Sequence, residues 1–200
     1  MKAIRFLVVA LAALAGLLAL PAHAQATAYA AGQGALNRIE VGIDVRASVR
    51  DRCGFAASGA PSGSLDQPDF GDTGLNKQFA IRLNCTGASR VAVSSRNGGL
   101  ANATQVDGYA STAPYNVELR LAGDNGTTSS AVCSSANLHQ PGSCVFSGTA
   151  GPSTGLRLAA ASTKDNGSYL KVTASPYAGV QPLLAGDYSD TLTITVSIAP

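Results

Sequence analysis

The sequence predicts an all-β protein, an antiparallel sandwich of about seven short strands. Three observations predict this class. Several segments alternate apolar and polar residues with a period of two, as half-buried strands do. Stretches rich in Gly, Pro and Asn separate these segments, and no convincing helical stripe of apolar residues occurs after the first 24 residues.

Residues 1–24 have the pattern of a secretory signal peptide. Lys2 and Arg5 precede an apolar run over 6–20, and Ala22-His23-Ala24 matches a small-residue cleavage site. The run is shorter than a membrane span, and no later stretch approaches that length. We therefore expect an exported chain that starts at Gln25 and has no transmembrane segment.

Loss of this segment makes the predicted mature chain neutral. The sequence has 14 Lys and Arg against 12 Asp and Glu, and Lys2 and Arg5 account for the difference. Nucleic-acid binding needs clustered basic residues, and no basic run follows residue 24. The composition therefore argues against nucleic acid as a partner.

The first predicted strand is unusually long. From Ile39 to Val49 every second residue is apolar, over 11 positions, whereas a typical strand has about five or six residues. Alternation alone leaves two interpretations open. The segment is either one long first strand of a closed domain, or its front part pairs elsewhere and the domain's own strand begins at Val45.

A polar loop follows at 54–74, with Leu65 and Phe70 as its expected anchors. Asn166-Gly167 predicts a hairpin turn between the two strands that flank it. The later predicted strands lie near 79–84, 91–93, 115–121, 144–147, 155–160, 168–175 and 191–198. In the last of them the alternating apolar residues are Leu192, Ile194, Val196 and Ile198. The sequence ends soon afterwards at Pro200, so we expect no later strand to cover this one.

Four cysteines in an exported chain predict two disulfides. Three pairings are possible, and we favour Cys53 with Cys85 and Cys133 with Cys144. The second pair is close in sequence and bounded by turn residues. In the chain-entropy model the two bonds contribute about 3.5 and about 3 kcal/mol.

Catalytic and metal-binding signals are weak. After residue 24 the sequence has a single histidine, His139, although nucleophilic catalysis needs a base beside the nucleophile. Residues 151–155 match G-x-S-x-G, but a predicted strand rather than a helix follows them. Asp66, Asp69 and Asp72 have a spacing that calcium tolerates, although a solvated loop explains them better. We predict no catalytic, metal or cofactor site, and no enzyme.

Several of these segments together resemble the spore coat protein U domain family, the subunits of archaic chaperone-usher pili. The resemblance covers most of residues 39–198; its ends are specific and its middle, about 97–165, is loose. The residues that carry it are Cys53, Leu65, Phe70, Gly71, the segment 81–85, and the segment 185–192 with the strand after it.

The resemblance implies an immunoglobulin-like sandwich that lacks its last strand. In that family a periplasmic chaperone first lends the missing strand, and the N-terminal extension of the next subunit then replaces it. By this resemblance, residues 25–44 form the extension and 45–200 the domain, whose first strand begins with Val45 to Val49. The donor residues would be Leu36, Ile39, Val41 and Ile43, and the acceptor-side core strand would carry Leu192, Ile194, Val196 and Ile198.

The function that the resemblance implies is that of a structural pilus or fimbria subunit, exported through the periplasm to the cell surface. A role in adhesion or biofilm formation would follow. Its expected partners are a periplasmic chaperone, an outer-membrane usher, and other pilus subunits, either copies of this chain or related ones. The alternative is a monomeric exported sandwich that binds a glycan or surface polymer through its loops.

Overall fold

The computed structural model describes residues 45–61, 63–164 and 167–200. The chain divides into two compact units, Met1–Ala47 and Ser48–Pro200. All strands and helices of the described residues lie in the second unit.

The described residues form ten strands and two short helices. In chain order they are α1 (Phe70–Thr73), β1 (Leu75–Ile81), β2 (Ser89–Ser95), β3 (Leu100–Asn102), β4 (Thr112–Ala113), β5 (Asn116–Ala122), β6 (Thr128–Ser134), α2 (Ser135–His139), β7 (Leu156–Leu158), β8 (Ser168–Ala174), β9 (Tyr188–Ser189) and β10 (Leu192–Ile198).

These strands form three sheets in which every pair of neighbouring strands is antiparallel. The large sheet has the order β1-β8-β5-β6, the second sheet β10-β2-β7, and a small third sheet β4-β3-β9. The large and second sheets contribute to one hydrophobic core. The predicted fold class, an all-β antiparallel sandwich, is confirmed.

β2 and β5 form the centre of the core because their alternating apolar residues share a face. Val91 and Val93 of β2 are fully buried, as are Val117, Leu119 and Leu121 of β5. Burial of a side chain of this size stabilises the fold by about 1.5–3 kcal/mol. The period of two that predicted these strands is therefore also what builds the core.

Most of the predicted strands are confirmed, with shifted boundaries. The structure contains strands at or near 79–84, 91–93, 115–121, 155–160, 168–175 and 191–198. The two predicted loop anchors, Leu65 and Phe70, are partly buried and pack against the core.

The prediction of a strand beginning at Val45 is wrong. Residues 45–50 have no regular secondary structure, and Val45 and Val49 are 86% and 83% exposed. Within the described residues no strand pairs with this segment. The first β-bridge along the described chain joins Phe55 to Leu83. The front of the predicted strand, 39–44, lies outside the described residues.

Two further predictions in the middle of the chain are wrong. Residues 144–147 form a turn rather than a strand, closed by a 3.1 Å bond from the Ser147 amide to the Cys144 carbonyl. No hairpin joins β7 to β8, since β7 pairs with β2 in the second sheet and β8 with β1 and β5 in the large one. β6 is a strand that the alternation does not predict, because its residues are mostly small and polar.

Both predicted disulfides are confirmed, Cys53–Cys85 and Cys133–Cys144. The first ties the segment before the polar loop to the end of the 82–85 stretch, where the Asn84 amide also donates to the Gly54 carbonyl at 2.8 Å. The second joins β6 to the turn that precedes Ser147.

Candidate functional site

The two sides of the sandwich differ in how they are closed. On one side β6 of the large sheet lies beside β7 of the second sheet, and β6 carries the Cys133–Cys144 disulfide. On the other side, within the described residues, β1 pairs only with β8 and β10 only with β2. An open groove is lined by residues of these two edge strands.

The groove has a volume of about 950 Å³, near the upper end of the roughly 300–1,000 Å³ typical of binding pockets. The apolar part of its wall comes from three strands whose alternating faces point into it. These wall residues are Leu75 and Phe79 of β1, Leu170 and Val172 of β8, and Leu192 and Ile194 of β10.

The inward face of β10 is covered less than that of its neighbour. Ile194 and Val196 of β10 pair in register with Val93 and Val91 of β2. The two β2 valines are fully buried, whereas Ile194 and Val196 are only partly buried against the core. A partly exposed apolar face beside a free strand edge is the arrangement to which another strand can add.

A carboxylate hub lies where β10 begins. Asp190 accepts hydrogen bonds from the Ser95 hydroxyl at 2.5 Å and the Tyr115 hydroxyl at 2.6 Å. It also accepts bonds from the backbone amides of Asn97 at 3.0 Å and Thr191 at 2.7 Å. Four donors therefore satisfy one carboxylate, and hydrogen bonds to an ionised group are stronger than neutral ones.

The hub connects three strands at the edge of the groove. Ser95 is the last residue of β2, Tyr115 directly precedes β5, and Asp190 lies two residues before β10. Burial raises the pKa of the Tyr115 phenol well above its ordinary value, and the hydrogen bond and charge of Asp190 raise it further. Tyr115 is therefore a fixed donor that holds the start of β10 in place.

Two segments form the rim of the groove, 63–72 and 183–191. The rings of Phe70 and Tyr188 meet edge to face with centroids 5.4 Å apart. The Tyr188 hydroxyl lies 2.9 Å from the Ala110 carbonyl oxygen and 3.0 Å from that of Leu184. These contacts fix the second rim segment to the rest of the domain.

The structure places the predicted acceptor residues on β10 and leaves the donor side undescribed. Leu192 and Ile194 line the groove, and Val196 packs against the core. Ile198, at the far end of the strand, is 38% exposed. The predicted donor residues lie outside the described residues; they are Leu36, Ile39, Val41 and Ile43.

The residues considered as catalytic or metal-binding candidates lie at separate places in the described part of the chain. Asp66, Asp69 and Asp72 are exposed on the groove rim, and no group of three His, Cys, Asp or Glu in the described part of the chain is placed to hold a metal ion. Ser153 lies in an exposed turn that leads into β7. The Nδ1 atom of His139 lies 3.3 Å from the carbonyl oxygen of Ser95.

Sequence reasoning missed the hub. Tyr115 begins the predicted strand near 115–121 and is buried, but nothing in the local pattern assigns a partner to its hydroxyl. The available signal was Asp190 itself, an acidic residue immediately before a strongly alternating strand. Polar groups that are shielded from solvent are hydrogen-bonded in most structures, so a carboxylate next to buried strands is expected to have donors.

Comparison of the chain with protein-family models, curated proteins and solved structures finds no match. Among the residues that the structure describes, no helix has the length and apolar character needed to cross a membrane.

Proposed function

We propose that this chain is a structural subunit of a surface pilus, assembled when a β-strand of a neighbouring subunit enters the groove between β1 and β10. The observation that carries the proposal is that β1 and β10 each pair with one strand only among the described residues, with a partly buried apolar face between them. The resemblance to the spore coat protein U domain family supports the same function.

The proposed joint is β-strand addition. Backbone groups of the incoming strand bond a free edge, and its alternate side chains fill the apolar groove. The incoming residues are Ile39, Val41 and Ile43 of a second copy, with Leu36 beside them. Burial of three or four such side chains contributes on the order of 6–9 kcal/mol before the costs of ordering.

The lengths of the groove and the donor segment match. On β1 the groove residues run from Leu75 to Phe79, five positions that extend about 13 Å at roughly 3.3 Å per residue. The segment from Ile39 to Ile43 also has five positions and presents three apolar side chains to one face. The match in length supports insertion of the alternating part of the segment.

A free edge with an apolar face is prone to uncontrolled pairing with other chains. A subunit built this way needs a periplasmic chaperone to cover the groove until assembly, and an outer-membrane usher to exchange that cover for the next subunit. These are the partners that the family resemblance implies. The proposed place of action is the cell surface, with adhesion or biofilm formation as the role.

The test is an unheated SDS gel of the chain produced with its chaperone and usher. We expect a ladder of high-mass species that collapses on boiling, and we expect deletion of residues 25–43 to abolish it. A matched pair sharpens the result. Ile39, Val41 and Ile43 changed together to Ser should remove the ladder, whereas Glu40, Gly42 and Asp44 changed together to Ser, on the opposite face, should preserve it.

A single band from the folded wild-type chain would contradict the proposal. It would favour the alternative function, a monomeric sandwich that binds a glycan or surface polymer through its loops. Equal loss of the ladder in both triple variants would show that the alternating face does not make the joint.

A further inference from the structure

A short loop segment lies over part of the groove. We call residues 63–68 the strap; all of them line the groove beside the strand residues. The strap has one large apolar side chain, Leu65, which is partly buried and packs against the core. Leu65 therefore covers apolar surface that an incoming strand would also use.

The strap is weakly fastened along its length. Within the described residues, no backbone group of 63–68 takes part in a main-chain hydrogen bond. Its side-chain hydrogen bonds are at one end. There the side-chain Nε2 of Gln67 donates to the Thr73 hydroxyl at 3.1 Å and lies 3.5 Å from the Pro68 carbonyl oxygen. The segment before the strap differs, since the Ala56 amide donates to the Arg82 carbonyl and the Arg82 amide donates to the Gly59 carbonyl, each at 2.9 Å.

Both ends of the strap have unusual backbone conformations. Gly63 has φ 137° and Asp69, immediately after the strap, has φ 51°. Glycine reaches such angles freely, whereas a residue with a side chain seldom does. A change of backbone angle at these two positions would move the strap, and with it Leu65, while the flanking secondary structure stays in place.

We infer that the strap is a displaceable cover of the groove, in which Leu65 protects the apolar wall until an incoming donor strand replaces it. This inference rests on the proposed function and concerns the regulation of the same site. The strap shields the groove in the free subunit and lowers the rate of strand insertion. Formation of the joint also requires that Leu65 be displaced from the groove.

The test measures binding of a fluorescein-labelled synthetic peptide of residues 36–46, in excess, to the full chain. Leu65→Ala should bind the peptide about five- to tenfold faster and more tightly than wild type, as expected when a partly buried leucine no longer competes. Val145→Ala is the control, because Val145 is an apolar residue that is 59% exposed and lies outside the groove. It should not accelerate binding.

A second readout follows the strap directly. The sequence has no Trp, so Leu65→Trp introduces a single reporter. Its emission should shift to longer wavelength when the peptide binds, because the side chain leaves an apolar environment for water.

Peptide binding with no acceleration by Leu65→Ala, or with no red shift of the reporter, would overturn the inference and leave the proposed function standing. The strap would then be a fixed wall of the groove. Failure of the peptide to bind wild type or any variant would overturn both.

Discussion

The side chain of Asp190 connects several segments of the chain at the edge of the groove. Its four hydrogen-bond donors come from the residues around β2, β5 and β10. Two of these donors, the hydroxyls of Ser95 and Tyr115, belong to buried residues. A buried donor without an acceptor costs about 1–3 kcal/mol, so the hub stabilises the groove wall through the groups it satisfies.

Replacement of Asp190 by Ala should lower the free energy of unfolding by about 2–4 kcal/mol, because two buried hydroxyls lose their acceptor. Urea unfolding measures this. Asp107→Ala is the control, since Asp107 is exposed and surface substitutions usually change stability by less than about 0.5 kcal/mol. Equal effects of the two substitutions would show that the hub has no structural role.

We expect Tyr115 to make the free energy of unfolding depend on pH in alkaline solution. Because the folded state raises its pKa, the unfolded state releases the phenolic proton first. The stabilising contribution is therefore complete below the unfolded pKa of about 10 and declines by up to about 1.4 kcal/mol per pH unit above it.

Urea unfolding at pH 8 and pH 11 checks this contribution. Tyr115→Phe should be less stable than wild type at pH 8, because the bond to Asp190 is lost, and should lose less further stability on going to pH 11. Tyr109→Phe, at a tyrosine that is 46% exposed, is the comparison. The explanation fails if both substitutions alter the pH dependence equally.

At the scale of elements, the sequence predicted the strands whose alternation is strong. β5 and β10 both alternate in sequence. In β5 one face packs on the core and the other is more exposed, whereas in β10 only the first half alternates in burial and Ile198 is exposed. β6 was missed because its stability comes from pairing with β5 along all seven of its residues rather than from its own apolar pattern. Residues 45–49 alternate equally well but lie exposed, which shows that periodicity reports the capacity to pair and not the partner.

Substitutions at two neighbouring positions of β10 test which face of the strand contacts an incoming strand. Ile194→Asp places a charge on the groove wall and should lower affinity for the 36–46 peptide at least tenfold, because the charge must be desolvated when a strand covers it. Thr193→Asp, on the exposed neighbouring position, should change affinity little. Fluorescence titration measures both, and similar losses would contradict the assignment of the inward face.

The disulfide on the closed side should matter for stability and not for assembly. Replacing Cys133 and Cys144 together by Ser should lower the free energy of unfolding by about 3 kcal/mol, measured by urea unfolding. The ladder on unheated gels should persist, since neither residue lines the groove. Loss of the ladder from a folded variant would connect this side of the sandwich to the joint.

At the scale of the molecule, β6 and β7 close one side of the sandwich, whereas in the described part of the chain no strand joins β1 to β10 on the other side. Part of this site was predictable, because Leu192 and Ile194 belong to an alternating strand near the end of the sequence. The hub was not predictable, since Asp190 bonds to Ser95 and Tyr115, which lie 95 and 75 positions earlier in the sequence. The groove itself depends on strand order across two sheets, which local patterns do not encode.

The most direct test of strand addition is a disulfide trap between a donor and a groove position. The variant carries Val41→Cys with Ile194→Cys and is produced in the oxidising compartment where disulfides form. We predict covalent multimers on a boiled, non-reducing gel, because strand addition would bring Val41 of one chain within disulfide reach of Ile194 of another.

Val41→Cys with Val145→Cys is the control, since Val145 is 59% exposed and lies outside the groove. It should give no ladder. Multimers from both variants alike, or a bond formed only within single chains of the Ile194 variant, would contradict donor-strand assembly.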